Sequence, residues 1–194
     1  MKRNSLNEIK KKSESCKACE LHKTRNNIVF ADGNPETSKI VLVGEAPGEN
    51  EDLQGIPFVG RAGKLLDEFL LNVGIDRQRD LYVINTVKCR PPKNRVPTDA
   101  EKASCRGFLE SQIKIIEPKL ILLCGATALK SFMKTKEPIS KIRGEIFQIE
   151  VNGVKYSAMP IFHPSYLLRN HSTEPDAPRG LMLGDLKKAK GLVH

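Results

Sequence analysis

The sequence lacks the long apolar segments that mark membrane and secreted proteins. No apolar run approaches the roughly 20 residues that a membrane span requires, and residues 1–6 lack the apolar core of a signal peptide. We find no internal repeat and no long low-complexity stretch among the 194 residues. These observations predict an intracellular protein with a single domain, residues 1–194, large enough to bury a real core.

Acidic residues are few relative to basic ones. Lysine and arginine total 32 against 23 aspartates and glutamates, which gives a net charge of +9 and a pI near 9.4. Such a surplus favours a polyanionic partner, and nucleic acid before a membrane, because no basic amphipathic stretch accompanies it. A basic surface without a specific partner is the alternative that charge alone leaves open.

Apolar runs alternate with stretches of helical spacing along the chain. Four of them end abruptly at polar, glycine or proline residues and indicate buried strands: 40–43, 81–87, 120–124 and 158–162. Asn152-Gly153 is the strongest short signal for a hairpin. The alternation predicts an α/β protein, a three-layer α/β/α sandwich on a central four-stranded, mostly parallel sheet.

The segment 40–66 has the layout of a ligand site. A strand ends at Gly44, a loop with four acids follows, and helical spacing resumes near Arg61. Open α/β sheets bind ligands outside the carboxyl ends of their strands, so we predict an active site here. Of the loop's polar residues, we expect Glu49, Asn50 and Asp52 to lie in solvent.

Four of the five cysteines lie in polar segments, which is unusual for inert thiols. Cys16 and Cys19 form a C-x2-C pair, while Cys89 and Cys105 are separated by fifteen residues. We predict that these four hold a metal; the spacing suits an iron–sulfur cluster and also leaves zinc open. Cys124 lies in an apolar strand and is expected to be inert.

Three stretches in the same order, 44–66, 82–95 and 163–170, resemble the family 4 uracil-DNA glycosylases, the iron–sulfur type of bacteria and archaea. The resemblance implies a monomer that acts in the prokaryotic cytoplasm and removes uracil from double- or single-stranded DNA, leaving an abasic site. It also implies a [4Fe-4S] cluster on the four cysteines, linking residues 16–19 to 89–105. Recruitment by a replication clamp stays open.

The resemblance also implies roles for individual residues around the bound uracil. Asn85 would accept from uracil N3–H and donate to O4, a pattern that cytosine inverts. Phe58 would stack on the base, and His163 would donate to O2 as charge develops. Gly44 and the backbone around Ala46 would complete the uracil site.

The group that positions the attacking water is the weakest assignment. Related families carry aspartate or asparagine where this chain has Ala46, which leaves the carboxylates of Glu45 and Glu51. We favour Glu45 next to the substrate, with Glu51 orienting water or sugar. Because such mechanisms depend mainly on electrostatic stabilisation, a weak base suffices.

We expect DNA contacts from the segments on either side of the predicted pocket. The basic residues of the loop after Cys89 and the residues after His163 are the candidates: Arg90, Lys93, Arg95, Leu167 and Arg169. One of Tyr166, Leu167 and Leu168 would enter the gap left by the extruded base.

The sequence disfavours three of four alternative functions. A relative that binds covalently to abasic sites would have glutamine after Glu45 and a histidine in 89–105, and this chain has neither. A non-catalytic iron–sulfur DNA-binding module would not need Asn85 and His163. A phosphate-binding loop at 44–48 would be repelled by the adjacent acids. A relative that excises other deaminated bases stays open.

Overall fold

The computed structural model describes residues 1–193. Nine α-helices occupy this range: α1 Lys2–Glu14, α2 Glu49–Gln54, α3 Arg61–Asn72, α4 Arg77–Asp80, α5 Asp99–Ile116, α6 Ala126–Phe132, α7 Ile139–Ile142, α8 Pro164–Leu167 and α9 Pro178–Val193. Six strands accompany them: β1 Asp32–Gly33, β2 Ile40–Gly44, β3 Leu81–Asn85, β4 Leu120–Cys124, β5 Phe147–Val151 and β6 Val154–Ile161. Short 3-10 turns cover Glu20–Lys23 and Pro92–Asn94.

The strands form one sheet in the order β1-β3-β2-β4-β6-β5. The four central strands are parallel, as predicted, and β1 and β5 add an antiparallel strand at each edge. The sequence does not predict β1, because Asp32-Gly33-Asn34-Pro35 is typical of a turn. Because β2, β3, β4 and β6 run in the same direction, their carboxyl ends and the loops that follow them lie at one edge of the sheet.

Apolar cores lie on both faces of the sheet. On one face α3 and α9 pack through Leu66, Leu70 and Leu186, and on the other α1, α5 and α6 pack through Leu6, Ile113 and Leu129. Strands that bury both faces need unbroken apolar sequences, which explains why the four central strands are visible in the sequence. The three-layer α/β/α architecture is therefore confirmed.

Local signals are accurate at some element ends and misleading at others. The pattern Thr98-Asp-Ala-Glu101 predicts a capping box, and Thr98 and Glu101 form this reciprocal pair at the start of α5. Asn152 and Gly153, with φ of 50° and 78°, make the tight turn between β5 and β6. The pattern Ser5-x-x-Glu8 also predicts a capping box, and this prediction is wrong, because α1 begins at Lys2 and Ser5 lies inside it.

None of the helices in residues 1–193 combines the length and the apolar character that a bilayer crossing requires.

Candidate active site and cysteine pocket

A cavity of about 340 Å³ opens at the carboxyl ends of β2, β3 and β6. Its walls contain every residue predicted to contact uracil or to position the water, except Gly44: Glu45, Ala46, Glu51, Phe58, Asn85 and His163. Pro91, Asn94 and Arg95, of the loop after Cys89, complete the walls. The tertiary structure thus brings together side chains that are up to 118 positions apart in the sequence, from Glu45 to His163.

Asn85 is the last residue of β3 and is only 2% exposed. Its Oδ1 atom is buried and has no hydrogen-bond partner among residues 1–193. Gly44 lies opposite on β2 and keeps this space open, since a β-carbon there would lie 2.4 Å from Asn85 Oδ1 and 2.6 Å from the Phe58 ring. A buried acceptor without a donor indicates a place where a ligand completes the bonding.

Phe58 forms the apolar wall of the cavity. Its backbone has φ of 54°, which is unfavourable for a bulky side chain and must be stabilised by its surroundings. Arg77 on α4 supplies that support, because its guanidinium donates to the carbonyls of Pro57 at 2.6 Å and Phe58 at 3.1 Å. Ion pairs with Asp32 and Asp67 hold Arg77 in turn. Arg77 therefore fixes the loop that presents the aromatic ring.

The imidazole of His163 lies 5.7 Å from the Phe58 ring, centre to centre. Its Nδ1 atom accepts from the Ser165 backbone N–H at 3.2 Å, and the Ser165 hydroxyl lies 2.7 Å from the same nitrogen. A nitrogen that accepts from a backbone N–H carries no proton, so the neutral ring is protonated at Nε2. Burial also lowers the pKa of His163, against the opposing charges of Glu45 and Glu51. The ring is thus a neutral donor.

The two candidate carboxylates have different surroundings. Glu51 accepts backbone N–H bonds from Gly48, Val59 and Gly60 at 3.1, 2.9 and 2.7 Å, and so ties the start of α2 to the start of α3. Glu45 receives one side-chain bond, from the Thr127 hydroxyl, and lines both the main cavity and a smaller one of about 150 Å³ beside it. Glu45 is therefore the carboxylate with bonding capacity left.

The acidic segment after Gly48 is more ordered than the sequence predicted. It forms α2 instead of an irregular loop. Asp52, expected to lie in solvent, is fully buried and accepts from the backbone N–H groups of Asn26 and Asn27. The prediction for Asp52 is wrong because its carboxylate satisfies donors in a segment 26 residues away in the sequence.

The segment after His163 corrects one predicted DNA contact. Leu167 is 0% exposed and packs in the core, with its carbonyl held by Arg179, so it cannot reach a DNA stack. Leu168 is half-buried against the same core. Tyr166 is 50% exposed, and its ring packs against Phe162 at 5.2 Å. Among the three wedge candidates, Tyr166 is the one at the surface.

The basic residues near the cavity differ in whether their charges are already paired with an acidic residue. Arg95 donates to Glu101 through its two terminal guanidinium nitrogens, at 2.6 and 2.8 Å, and this pairing lowers the pKa of Glu101 to about 2. Arg90 bonds Asn94 at 2.7 Å and lies 3.4 Å from Glu49. Lys93 and Arg169 are exposed and form no ion pair within residues 1–193.

A second pocket, between the end of α1 and α5, brings the four polar-segment cysteines together. Cys16, Cys19, Cys89 and Cys105 all line it, with His22 at its edge, while Cys124 is buried in β4. Within residues 1–193, no three His, Cys, Asp or Glu side chains converge closely enough to hold a single metal ion. The thiols therefore surround a shared space without forming a one-ion site.

Two cations face these thiols. Arg25 donates to Cys89 Sγ at 3.3 Å. Lys88 is 1% exposed and lines the same pocket. Burial lowers the pKa of Lys88 to about 8, although the nearby thiols of Cys105 and Cys89 oppose this shift. Burial raises the pKa of the Cys89 thiol to about 11, although the charge of Arg25 opposes that shift. The pocket is therefore positively charged and rich in sulfur.

Sequence reasoning missed three residues that shape these pockets: Arg77, Thr127 and Lys88. Arg77 and Thr127 lie on helices far in sequence from the loops they hold, and no local pattern marks them. Lys88 did carry a signal, since a lysine between an apolar strand and a cysteine is unusual for a solvated charge.

Comparison with known proteins agrees with this geometry. The model of the uracil DNA glycosylase superfamily matches residues 30–187. The chain is 50% identical over 186 residues to a type-4 uracil-DNA glycosylase of Thermotoga maritima, covering 95% of this chain and 93% of that protein. It is 42% identical over 168 residues to the type-4 enzyme of Archaeoglobus fulgidus, covering 84% and 83%. The chain therefore belongs to the type-4 family of the uracil-DNA glycosylase superfamily.

Proposed function

We propose that this protein removes uracil from DNA by hydrolysing the N-glycosidic bond of an extruded nucleotide, leaving an abasic site. The observation that carries the proposal is the buried, unpaired Oδ1 atom of Asn85 in the wall of the cavity. Uracil N3–H is a donor that would complete this bonding, whereas N3 of cytosine is an acceptor. The extruded base would leave the DNA stack to reach it.

The cavity walls suit the flat faces and the carbonyl edge of uracil. Phe58 offers an aromatic face on which the base stacks. Cleavage leaves negative charge on the departing base, and a neutral His163 protonated at Nε2 donates to O2 as that charge develops. Asn85 donates to O4 through its amide group. Recognition and charge stabilisation thus use the same side chains.

Glu45 is the carboxylate that we assign to the attacking water. The Thr127 hydroxyl orients it and leaves lone pairs free towards the sugar carbon, which gains oxocarbenium character as the bond breaks. Ala46 next to it provides no acid or amide. We assign Glu51 to positioning, because its carboxylate already holds three backbone N–H groups of the loop.

DNA would bind across the mouth of the cavity. Lys93 and Arg169 have free charges for backbone phosphates, while Arg90 and Arg95 shape the loop after Cys89 and add to its potential. Tyr166, which is exposed, is the side chain that would enter the gap left in the DNA stack by the extruded base. One chain supplies all of these groups, which supports a monomer as the active form.

We also assign a [4Fe-4S] cluster to Cys16, Cys19, Cys89 and Cys105. Four thiols around one pocket are the donor set that such clusters require, and similarity to type-4 enzymes favours a cluster over zinc. The adjacent cations, Arg25 and Lys88, suit an anionic thiolate group. When bound, the cluster would cross-link residues 16–19 to 89–105 and so brace one wall of the uracil cavity.

The test is incubation with a uracil-containing oligonucleotide followed by alkali. Strand cleavage at the uracil is expected, with none at thymine or cytosine in matched oligonucleotides. An intact uracil strand with folded, iron-loaded protein would refute the glycosylase assignment.

The cofactor has its own measurement. Protein purified without oxygen should be brown and contain iron and acid-labile sulfide in about equal amounts, near four of each per chain. Zinc in their place would refute the cluster while leaving the glycosylase assignment intact.

A further inference from the structure

Lys88 lies between the two pockets. It follows β3 by three residues and precedes Cys89, and its side chain is among the largest that are completely buried. The ammonium group donates to the backbone carbonyl of Asn85 at 2.9 Å, and the side chain also lines the cysteine pocket. One buried cation thus contacts the residue that faces the base and the pocket that holds the thiols.

The charge of Lys88 has no partner of opposite sign within residues 1–193. None of the ion pairs in this part of the chain includes it, and the groups facing it are the thiols of Cys89 and Cys105. Arg25, which lies against Cys89, adds a second cation nearby. A buried ammonium without a counter-charge is strongly destabilising. An anion in the cysteine pocket would supply the missing counter-charge.

We propose that Lys88 is a positioning residue that couples an anionic thiolate cluster in the cysteine pocket to the alignment of Asn85 against the base. The cluster's negative charge holds the ammonium in place, and the ammonium holds the carbonyl at the end of β3. The carbonyl that Lys88 holds belongs to Asn85 itself, so the direction of the Asn85 side chain into the cavity depends on the hydrogen bond from Lys88. The inference rests on the proposed function, because it concerns the same uracil site.

The first test compares Lys88→Met with Lys190→Met. Lys190 makes the same kind of bond at the same length, to the Val73 carbonyl at 2.9 Å, but lies on α9 away from both pockets. Lys88→Met is expected to lower uracil excision about 10- to 100-fold, as loss of an outer-sphere partner of a metal site does. Lys190→Met should leave excision unchanged. Equal activity in the two variants would overturn the proposal.

The second test asks whether Lys88 acts through Asn85. If it does, the double variant of Lys88→Met and Asn85→Ala should excise uracil no more slowly than Asn85→Ala alone, since the second change removes the group that the first misaligns. Independent, multiplying losses would show that Lys88 affects excision by another route and would overturn the coupling.

A third measurement does not depend on excision. Removing a positive charge beside the cluster disfavours its reduced, more negative form, so Lys88→Met should shift the reduction potential to a more negative value. Lys190→Met should not shift it. An unchanged potential in Lys88→Met would overturn the electrostatic contact with the cluster, whether or not the wild-type protein excises uracil.

If Lys88→Met is isolated without iron, Lys88→Arg decides the outcome. Recovery of the iron content and of excision with arginine would support the role of the positive charge. Loss of iron with both substitutions, while the fold persists by circular dichroism, would overturn that role and leave only a packing role.

Discussion

The uracil cavity and the cysteine pocket lie at the two ends of one short segment, residues 85–89, and they are completed in different ways. In the uracil cavity the protein supplies most of the bonding itself: Ser165 orients His163, and Arg77 supports the Phe58 loop. In the cysteine pocket two cations face four thiols, and none of the lining residues within 1–193 is a carboxylate that could balance them. The first site is preformed by the fold, whereas the second, in our proposal, depends on the negative charge of a bound cluster.

The largest expected effect concerns Asn85, the residue at the end of β3 that faces the cavity. Asn85→Asp replaces the amide donor with a carboxylate that repels uracil O4, and we expect uracil excision to fall about 10²- to 10³-fold, the usual cost of losing one such donor. Single-turnover excision rates measure this loss. Asn72→Asp, the same change at the exposed end of α3, is the control. Full activity in Asn85→Asp would remove Asn85 from base recognition.

The second prediction tests whether the cysteine pocket depends on its ligand. Cys105→Ser should lower the iron content and, because residues 89–105 then lose their brace, reduce excision about 10- to 100-fold. Proteolysis should become faster in that loop. Cys124→Ala, in the core of β4, should keep full iron content. If Cys105→Ser retains stoichiometric iron, the proposed ligand set is wrong.

The third prediction tests how far the cavity is preformed. Arg77→Met removes the donors to the Pro57 and Phe58 carbonyls, so the Phe58 ring loses its fixed position. We expect a decrease of about 10-fold in kcat/KM, or ~1.4 kcal/mol of transition-state stabilisation. Arg79→Met, on the exposed side of the same short helix, serves as the matched variant. The comparison would fail if both substitutions had equal effects.

The smallest expected effect is a pH dependence of stability. The folded protein lowers the pKa of His163 below its ordinary 6.5 through burial, although Glu45 and Glu51 oppose the shift. The unfolded chain therefore binds this proton more readily, and stability should fall as pH drops below 6.5. Urea unfolding of wild type and His163→Gln between pH 7.5 and 5 measures it, with the variant losing less stability. Parallel losses would show that the imidazole is not buried as a neutral base.

Much of the fold followed from local pattern. The four parallel strands are continuous apolar runs because both of their faces are buried, and the Thr98 cap and the Asn152 turn depend only on neighbouring residues. The edge strand β1 could not be predicted, because it has only two residues and forms through pairing with β3, which is distant in the sequence.

The candidate site divides in the same manner. Asn85, Phe58 and His163 were predicted from the resemblance to a known family, and Asn85 and His163 also stand at strand ends. The burial of Leu167 and Asp52 could not be predicted, since a leucine after a helical turn or an acid in a polar loop is compatible with either environment. Packing of Leu167 against the core and donors on Asn26 and Asn27 decide these cases.

The sequence by itself determined the α/β class, the position of the ligand site at the strand ends and the set of four cysteines, because each depends on residue type and spacing. Only the tertiary structure decided which carboxylate is free, which nitrogen of His163 is protonated and which residue at 166–168 is exposed. These properties depend on partners such as Thr127, Ser165 and Arg179, which long-range packing brings to the site. The position of Lys88 between the two pockets was likewise decided only by the tertiary structure.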